Sequence, residues 1–294
     1  MNTMLRRSGL LIVCAIFCWQ SSLAQELNEN GRRLLEEQNC GTFSRLKVVN
    51  GHEVRLGSRP WMALLLLSNG REQEYGCGGT LINERFVLTA AHCVSRFQLV
   101  SVRLGEHQLS TEPDCRNIGR KEKCAPPVED IEVEKIFKHE NYARSNGHND
   151  IALIKLSRAV VFSRTIRPIC LPTTDVNVNE DFLVTGWGKT ENQTLSDVLR
   201  EAHIKLRNPR TCQQSFRREI AQSQLCVGDV ARDSCRGDSG GPLSYPAEYL
   251  CAQRFVQFGI VSYGAFECGS GYPGVYTKVA SFIPWITNIL GTNS

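Results

Sequence analysis

From residue 48 onward the chain carries short apolar runs, each bounded by Gly, Asn or Pro. They include "WMALLLL" at 61–67, "RFVLTAA" at 85–91, "VSVRLG" at 100–105, "DIALIKL" at 150–156, "DFLVTGWG" at 181–188, "FGIVSYG" at 258–264 and "GVYTKV" at 274–279. Such runs are rich in Val, Ile, Leu and Phe and too short for most helices. A series of them predicts many short strands, and so an all-β sandwich or barrel. The last segment, "SFIPWITNILG", differs. It sets Phe282, Ile286 and Ile289 at helical spacing, with Ser281 as N-cap, Pro284 in the first turn and Gly291 as the stop. We therefore expect a C-terminal α-helix after the strands.

The N-terminus reads as a secretory leader. Arg6 and Arg7 precede an apolar run, Leu10 to Trp19, and small residues lead to a cut after Ala24. That run is too short to span a bilayer comfortably, which disfavours a signal anchor. Thirteen cysteines suit an oxidising compartment. Cys14 and Cys18 leave with the leader, and the odd remainder leaves one cysteine without an intrachain partner. Residues 25–47 are polar and show no core-forming pattern, so they read as a short prosegment carrying one cysteine, Cys40. The expected division is 1–24 signal peptide, 25–47 activation prosegment and 48–294 a single large domain. A net charge of +4 is too mild for a nucleic-acid binder. No other segment is apolar enough for a membrane span.

Three short words occur in order: "LTAAHC" with His92, "NDIALIKL" with Asp150 and "GDSGGP" with Ser239. A serine hydroxyl attacks only when a base takes its proton, and that base needs a third group to fix its tautomer. Glycines around Ser239 let backbone N–H groups approach a substrate carbonyl. With the three words in register, the sequence resembles the chymotrypsin/trypsin serine proteases from Val48 to about Leu290. The resemblance implies two six-stranded antiparallel barrels with the triad in the cleft between them. It makes His92 the general base, Asp150 its orienting carboxylate and Ser239 the nucleophile. The N–H groups of Gly237 and Ser239 become the oxyanion hole. Asp233 falls where trypsin-like members place the carboxylate of the primary pocket, and Gly264 and Gly274 match positions that keep that pocket open. A buried carboxylate in an open slot selects Arg or Lys. Ser262, Tyr263 and Gly264 would pair with the substrate backbone as an added strand.

The same resemblance explains the stretch "SRLKVVNG". Cutting between Lys47 and Val48 would free an apolar N-terminus whose ammonium pairs with Asp238, so the chain is expected to be a zymogen. Asn50 departs from the usual Gly there, mildly, since Asn tolerates positive φ. The implied disulfides are Cys40–Cys170, Cys77–Cys93, Cys115–Cys124, Cys212–Cys226 and Cys235–Cys268. Cys251 is left over, either a buried free thiol or a link to a second chain. Phe182 and Tyr245 stand where another family bridge would be and are expected to stack on each other. The long loop holding Cys115 and Cys124 looks like that of arthropod clip-domain proteases, although the prosegment lacks the cysteines a clip domain needs. Glu106 matches a position that helps hold a structural Ca²⁺ in some members. Asn192 begins a glycosylation sequon, "NQT".

The expected function is a secreted endopeptidase cutting after Arg or Lys, made as a zymogen and needing no cofactor for its chemistry. It would serve an extracellular cascade, with innate immunity or melanisation suggested by analogy. Its partners would be protein substrates, an upstream activating protease and a serpin-type inhibitor, not nucleic acid or membrane. The alternative is a non-catalytic homologue that binds and assembles partners.

Overall fold

A computed structural model describes residues 27–43, 53–119, 121–176, 181–189, 194–228, 237–264 and 272–294. Lys47, Val48, Asn192, Asp233, Cys235 and Cys268 lie outside them. In chain order the elements are α1 (Glu29–Glu36), β1 (Met62–Ser68), β2 (Gln73–Leu81), β3 (Phe86–Thr89), α2 (Cys93–Arg96), β4 (Gln98–Leu104), β5 (Cys115–Ile118), β6 (Lys121–Cys124), β7 (Glu129–Lys138) and β8 (Ala152–Leu156). Then come β9 (Asp181–Gly186), β10 (Arg200–Leu206), α3 (Pro209–Phe216), β11 (Gln224–Gly228), β12 (Pro242–Tyr249), β13 (Ala252–Tyr263), β14 (Gly274–Lys278), a 3₁₀ turn (Val279–Phe282) and α4 (Ile283–Asn293).

The strands close into two antiparallel barrels, ordered β1-β2-β3-β8-β7-β4 and β10-β11-β14-β13-β12-β9. This is the expected architecture, and closure removes the open edges that short apolar strands would otherwise expose. Leu65, Leu81, Phe86, Leu104 and Ile131 fill the first barrel; Phe182, Ile204, Val227, Leu243, Val256 and Tyr276 fill the second. Each such side chain contributes about 1.5–3 kcal/mol on burial. The barrels meet through polar contacts as well. Thr80 Oγ1 donates to Gln257 Oε1 at 2.6 Å, and a buried Arg59–Glu201 ion pair spans 2.6 Å. No helix among the described residues is long and apolar enough to cross a membrane.

The segment before the barrels departs from expectation. Instead of a coreless polar tract, residues 29–36 form α1, capped by Asn28, whose side chain accepts the Gly31 N–H at 3.0 Å. Leu27, Gly31 and Leu35 recur every four residues and so share one face. That face packs on α4, and Leu35 is 1% exposed within the main core. A Cβ on Gly31 would run into the backbone of Thr287, and one on Gly291 would strike the Asn28 side chain. Gly291 therefore does not stop α4. The helix runs through to Asn293, and this glycine is where α1 makes its close approach. Past α1, Gly41 exchanges backbone hydrogen bonds with Pro168 and Phe255, and Cys40 bonds Cys170. Residues 27–43 are a built part of the fold.

The other described bridges are Cys77–Cys93, Cys115–Cys124 and Cys212–Cys226. Cys251 is free but exposed, not buried. It and Leu250 form the two-residue turn joining β12 to β13, with φ of 61° and 47°. Such a hairpin turn matches strand twist but needs left-handed backbone at both positions, and it points its side chains into solvent. Phe182 is also corrected: its ring packs edge-on against Phe258 at 5.6 Å, not against Tyr245. Both lie in the core of the second barrel, whereas Tyr245 is only partly buried at its margin.

Candidate active site

His92 sits at the start of α2, just after β3 has delivered the chain to the barrel rim, and Cys93 is clamped to Cys77. Asp150 precedes β8 and is 2% exposed. Its Oδ2 accepts from His92 Nδ1 at 2.7 Å, and its Oδ1 accepts the His92 backbone N–H at 2.9 Å. One carboxylate thus holds both the ring and the main chain of the same residue. A ring nitrogen facing a carboxylate carries the proton, which leaves the basic lone pair on Nε2, 3.6 Å from Cys93 Sγ. Asp150 is itself held from the second barrel. Ser262 Oγ donates to Oδ2 at 2.6 Å, and Thr277 Oγ1 donates to the Asp150 carbonyl at 2.8 Å. Nearby, burial pushes the Tyr142 phenol up to about 12, with the Asp150 charge adding to the shift.

Ser239 sits on a tight turn between the barrels. Its carbonyl accepts from Gly78 of β2 at 2.8 Å, while Gly240 N–H donates to Val261 of β13 at 2.9 Å. A side chain at Gly240 would collide with Thr89 and the Gly78 carbonyl, so the turn seats directly on the first barrel. Gly237 adopts φ 105°, and a Cβ there would meet Leu195 Cδ2 at 2.8 Å. Only glycine fits that backbone. The Asp238 side chain turns the other way, into a niche whose walls are glycine. Its Oδ1 accepts from Gly188 N–H at 2.8 Å, and a Cβ on Gly186 or Gly188 would overlap its carboxylate.

His92, Gly237 and Ser239 line one open cavity of about 440 Å³. His92 and Ser239 thus face one cavity at the junction of the barrels, with Asp150 bonded to His92 behind it. Tyr263 ends β13 with Gly264 just after it, Gly274 opens β14, and Tyr263 pairs with Val275. Two roles escape the sequence. Ser262 is expected there only as substrate-pairing backbone, yet its hydroxyl positions Asp150. Thr277 carries no signal at all. Either role needs the register of β13 and β14 against β8, which no local word in the sequence carries.

The Glu106 carboxylate is almost fully buried. Its Oε1 accepts from His107 N–H at 2.8 Å and its Oε2 from Arg103 at 3.2 Å. Asp114 Oδ2 accepts the same His107 N–H at 3.0 Å. Burial pushes the Glu106 carboxyl up, and the neighbouring Asp114 charge adds to this.

Comparison with known proteins supplies the family. A sequence profile described as Trypsin matches residues 48–286. The chain is 48% identical over 290 residues to "Serine protease grass" of Drosophila melanogaster, covering 94% of this chain and 77% of that protein. It is 41% identical over 265 residues to "Phenoloxidase-activating factor 3" of Holotrichia diomphalia, covering 86% and 75%. It is 40% identical over 269 residues to "Spaetzle-processing enzyme" of Drosophila melanogaster, covering 84% and 67%. A solved structure titled as the crystal structure of Drosophila Grass clip serine protease of the Toll pathway superposes with a TM-score of 0.85. The identity is 47%, over 92% of this chain and 80% of that one. The chain belongs to the trypsin family of serine proteases and is homologous to insect clip-domain serine proteases such as Grass.

Proposed function

We propose that this protein is a secreted endopeptidase, made as a zymogen, that cuts protein substrates after Arg or Lys. The observation that carries the reading is the carboxylate–imidazole pair of Asp150 and His92 opening onto the cavity that holds Ser239. In the reaction His92 takes the Ser239 proton as the hydroxyl attacks the scissile carbonyl. The N–H groups of Gly237 and Ser239 stabilise the oxyanion, each by about 3 kcal/mol. The protonated ring then gives its proton to the leaving amine, and water repeats the sequence on the acyl-enzyme. Relatives named for phenoloxidase activation and Spaetzle processing support a place in an extracellular immune cascade. There an upstream protease would activate it and a serpin-type inhibitor would stop it. All three triad residues are present, which favours a catalyst over a binding homologue.

Selectivity is assigned to Asp233 by the family resemblance, with Gly264 and Gly274 at positions that would keep the primary pocket open. Asp233→Ser is expected to lower kcat/KM for Arg and Lys peptides by at least 10²-fold, since a buried ion pair loses one partner. A wild type that prefers Phe or Leu before the cut rejects the pocket assignment.

Calcium near Glu106 is proposed on donor chemistry. Two buried carboxylates, Glu106 and Asp114, share one N–H, and the nearby guanidinium of Arg103 is divided between Glu106 and Asp130. Oxygen donors with excess negative charge suit a hard cation. Millimolar CaCl₂ is expected to raise the melting temperature by a few degrees, and Glu106→Gln to abolish the rise. An unchanged melting temperature in the wild type removes calcium from the proposal.

A further inference from the structure

We infer that the cleft also reads the leaving-group side of the substrate, favouring Lys or Arg at the second or third residue after the scissile bond. This rests on the peptidase reading above. Beyond His92, Gly237 and Ser239, the cavity continues over the Cys77–Cys93 disulfide onto the β1–β2 hairpin, reaching Leu67, Glu72 and Glu74. None of its lining comes from β13, along which the acyl half of a substrate would lie. The half that departs as the amine must therefore run over this hairpin.

The acids stand on the β2 side of this hairpin: Glu74 lies in β2 and Glu72 just ahead of it, and both line the cavity together with Gly76. Glu74 pairs with Leu67 across the hairpin, so carboxylate and leucine stand side by side. Both glutamates are exposed, and neither carboxylate makes a hydrogen bond or ion pair among the described residues. Their charge is free for a ligand. Among the described lining residues the one Lys or Arg is Arg96, which lies against the Phe97 ring at 5.2 Å. Distance sets the position. Glu74 lies four residues along β2 from Gly78, the residue bonded to the Ser239 carbonyl, a span of about 13 Å. An extended peptide leaving Ser239 covers about 7–10 Å by its second and third residues, and a long cationic side chain closes the gap. The chain's own Lys47–Val48 bond is followed by Val49 and Asn50, with no cation to offer, so it is a poor substrate for this cleft.

The test uses activated full-length protein and peptides of the form Arg–Val–X–X, with X–X as Lys-Lys, Glu-Glu or the native Val-Asn, and reads the rate of cutting at Arg–Val alone by mass spectrometry, because the Lys-Lys peptide also offers bonds after Lys. An arginine anilide, which has no residue beyond the cut, reports the peptidase reading alone. We expect kcat/KM for Lys-Lys to exceed that for Glu-Glu about tenfold at low salt, with Val-Asn between them. The ratio should shrink in 1 M NaCl. Glu72→Gln with Glu74→Gln should bring the ratio near one at an unchanged melting temperature, and Glu74→Lys should reverse the preference. If the anilide is cleaved and the wild-type ratio is already near one, or survives in the double variant, the inference is wrong and the peptidase reading stands. If the anilide is not cleaved, the peptidase reading fails and takes this inference with it.

Discussion

Ser239→Ala is expected to fold, keep its disulfides and lose turnover by a factor on the order of 10⁶. Removing the hydroxyl removes the only atom that can form the acyl-enzyme. The turn itself depends on backbone bonds to Gly78 and Val261 and on the glycine contacts, none of which uses that hydroxyl. Asp150→Asn should cost about 10⁴-fold, a size carried over from other members of this family. An amide in place of Oδ2 would face the His92 ring with an N–H or force the other tautomer, and Nε2 would then lack the free lone pair. It would also meet the Ser262 hydroxyl. The check is single-turnover hydrolysis of an Arg peptide, with circular dichroism on the same samples. Activity in Ser239→Ala within tenfold of wild type would mean that the nucleophile is another residue.

The second large effect concerns activation. Asp238→Asn should be cut after Lys47 at the normal rate and yet stay nearly inactive. The Asp238 carboxylate lies in a niche of glycine backbone, with Oδ1 accepting from Gly188 N–H. The proposed pairing, implied by the family resemblance, is with the ammonium of Val48 that cleavage creates. An asparagine keeps the shape but not the charge. Losing one member of such a pair costs about 3–5 kcal/mol, so the competent population falls by about 10²- to 10⁴-fold. Lys47→Gln should resist trypsin and remain a zymogen. Mass spectrometry of the cut chains, read beside peptidase rates, separates the two variants: one is cut but silent, the other uncut.

The strand pattern and the nucleophile word are legible because their information is local. A short apolar run bounded by breakers says strand, and Gly–Asp–Ser–Gly–Gly says that backbone must come close. The features that the sequence hides all depend on long-range contact. The face of α1 is Leu27, Gly31 and Leu35, and a glycine in the middle of an apolar stripe does not register as apolar. It is buried only because α4 lies against it. Gly291 resembles a helix stop for the same reason, since the Asn28 side chain it accommodates is far away in sequence. The odd cysteine count leaves one over and the bridges implied by the family resemblance make it Cys251, while its exposure comes from a two-residue turn that non-glycine residues rarely occupy. The hydroxyls of Ser262 and Thr277 reach Asp150 only once the second barrel has closed against the first.

The most direct test of a cleavage-activated serine peptidase is labelling with a fluorophosphonate probe before and after cutting at Lys47. The expected result is strong labelling of Ser239 in the cut wild type, little in the uncut chain and none in Ser239→Ala, with peptidase activity rising in step. A cut wild-type protein, shown by Edman sequencing to begin Val-Val-Asn-Gly, that neither takes the label nor hydrolyses an Arg peptide would contradict it.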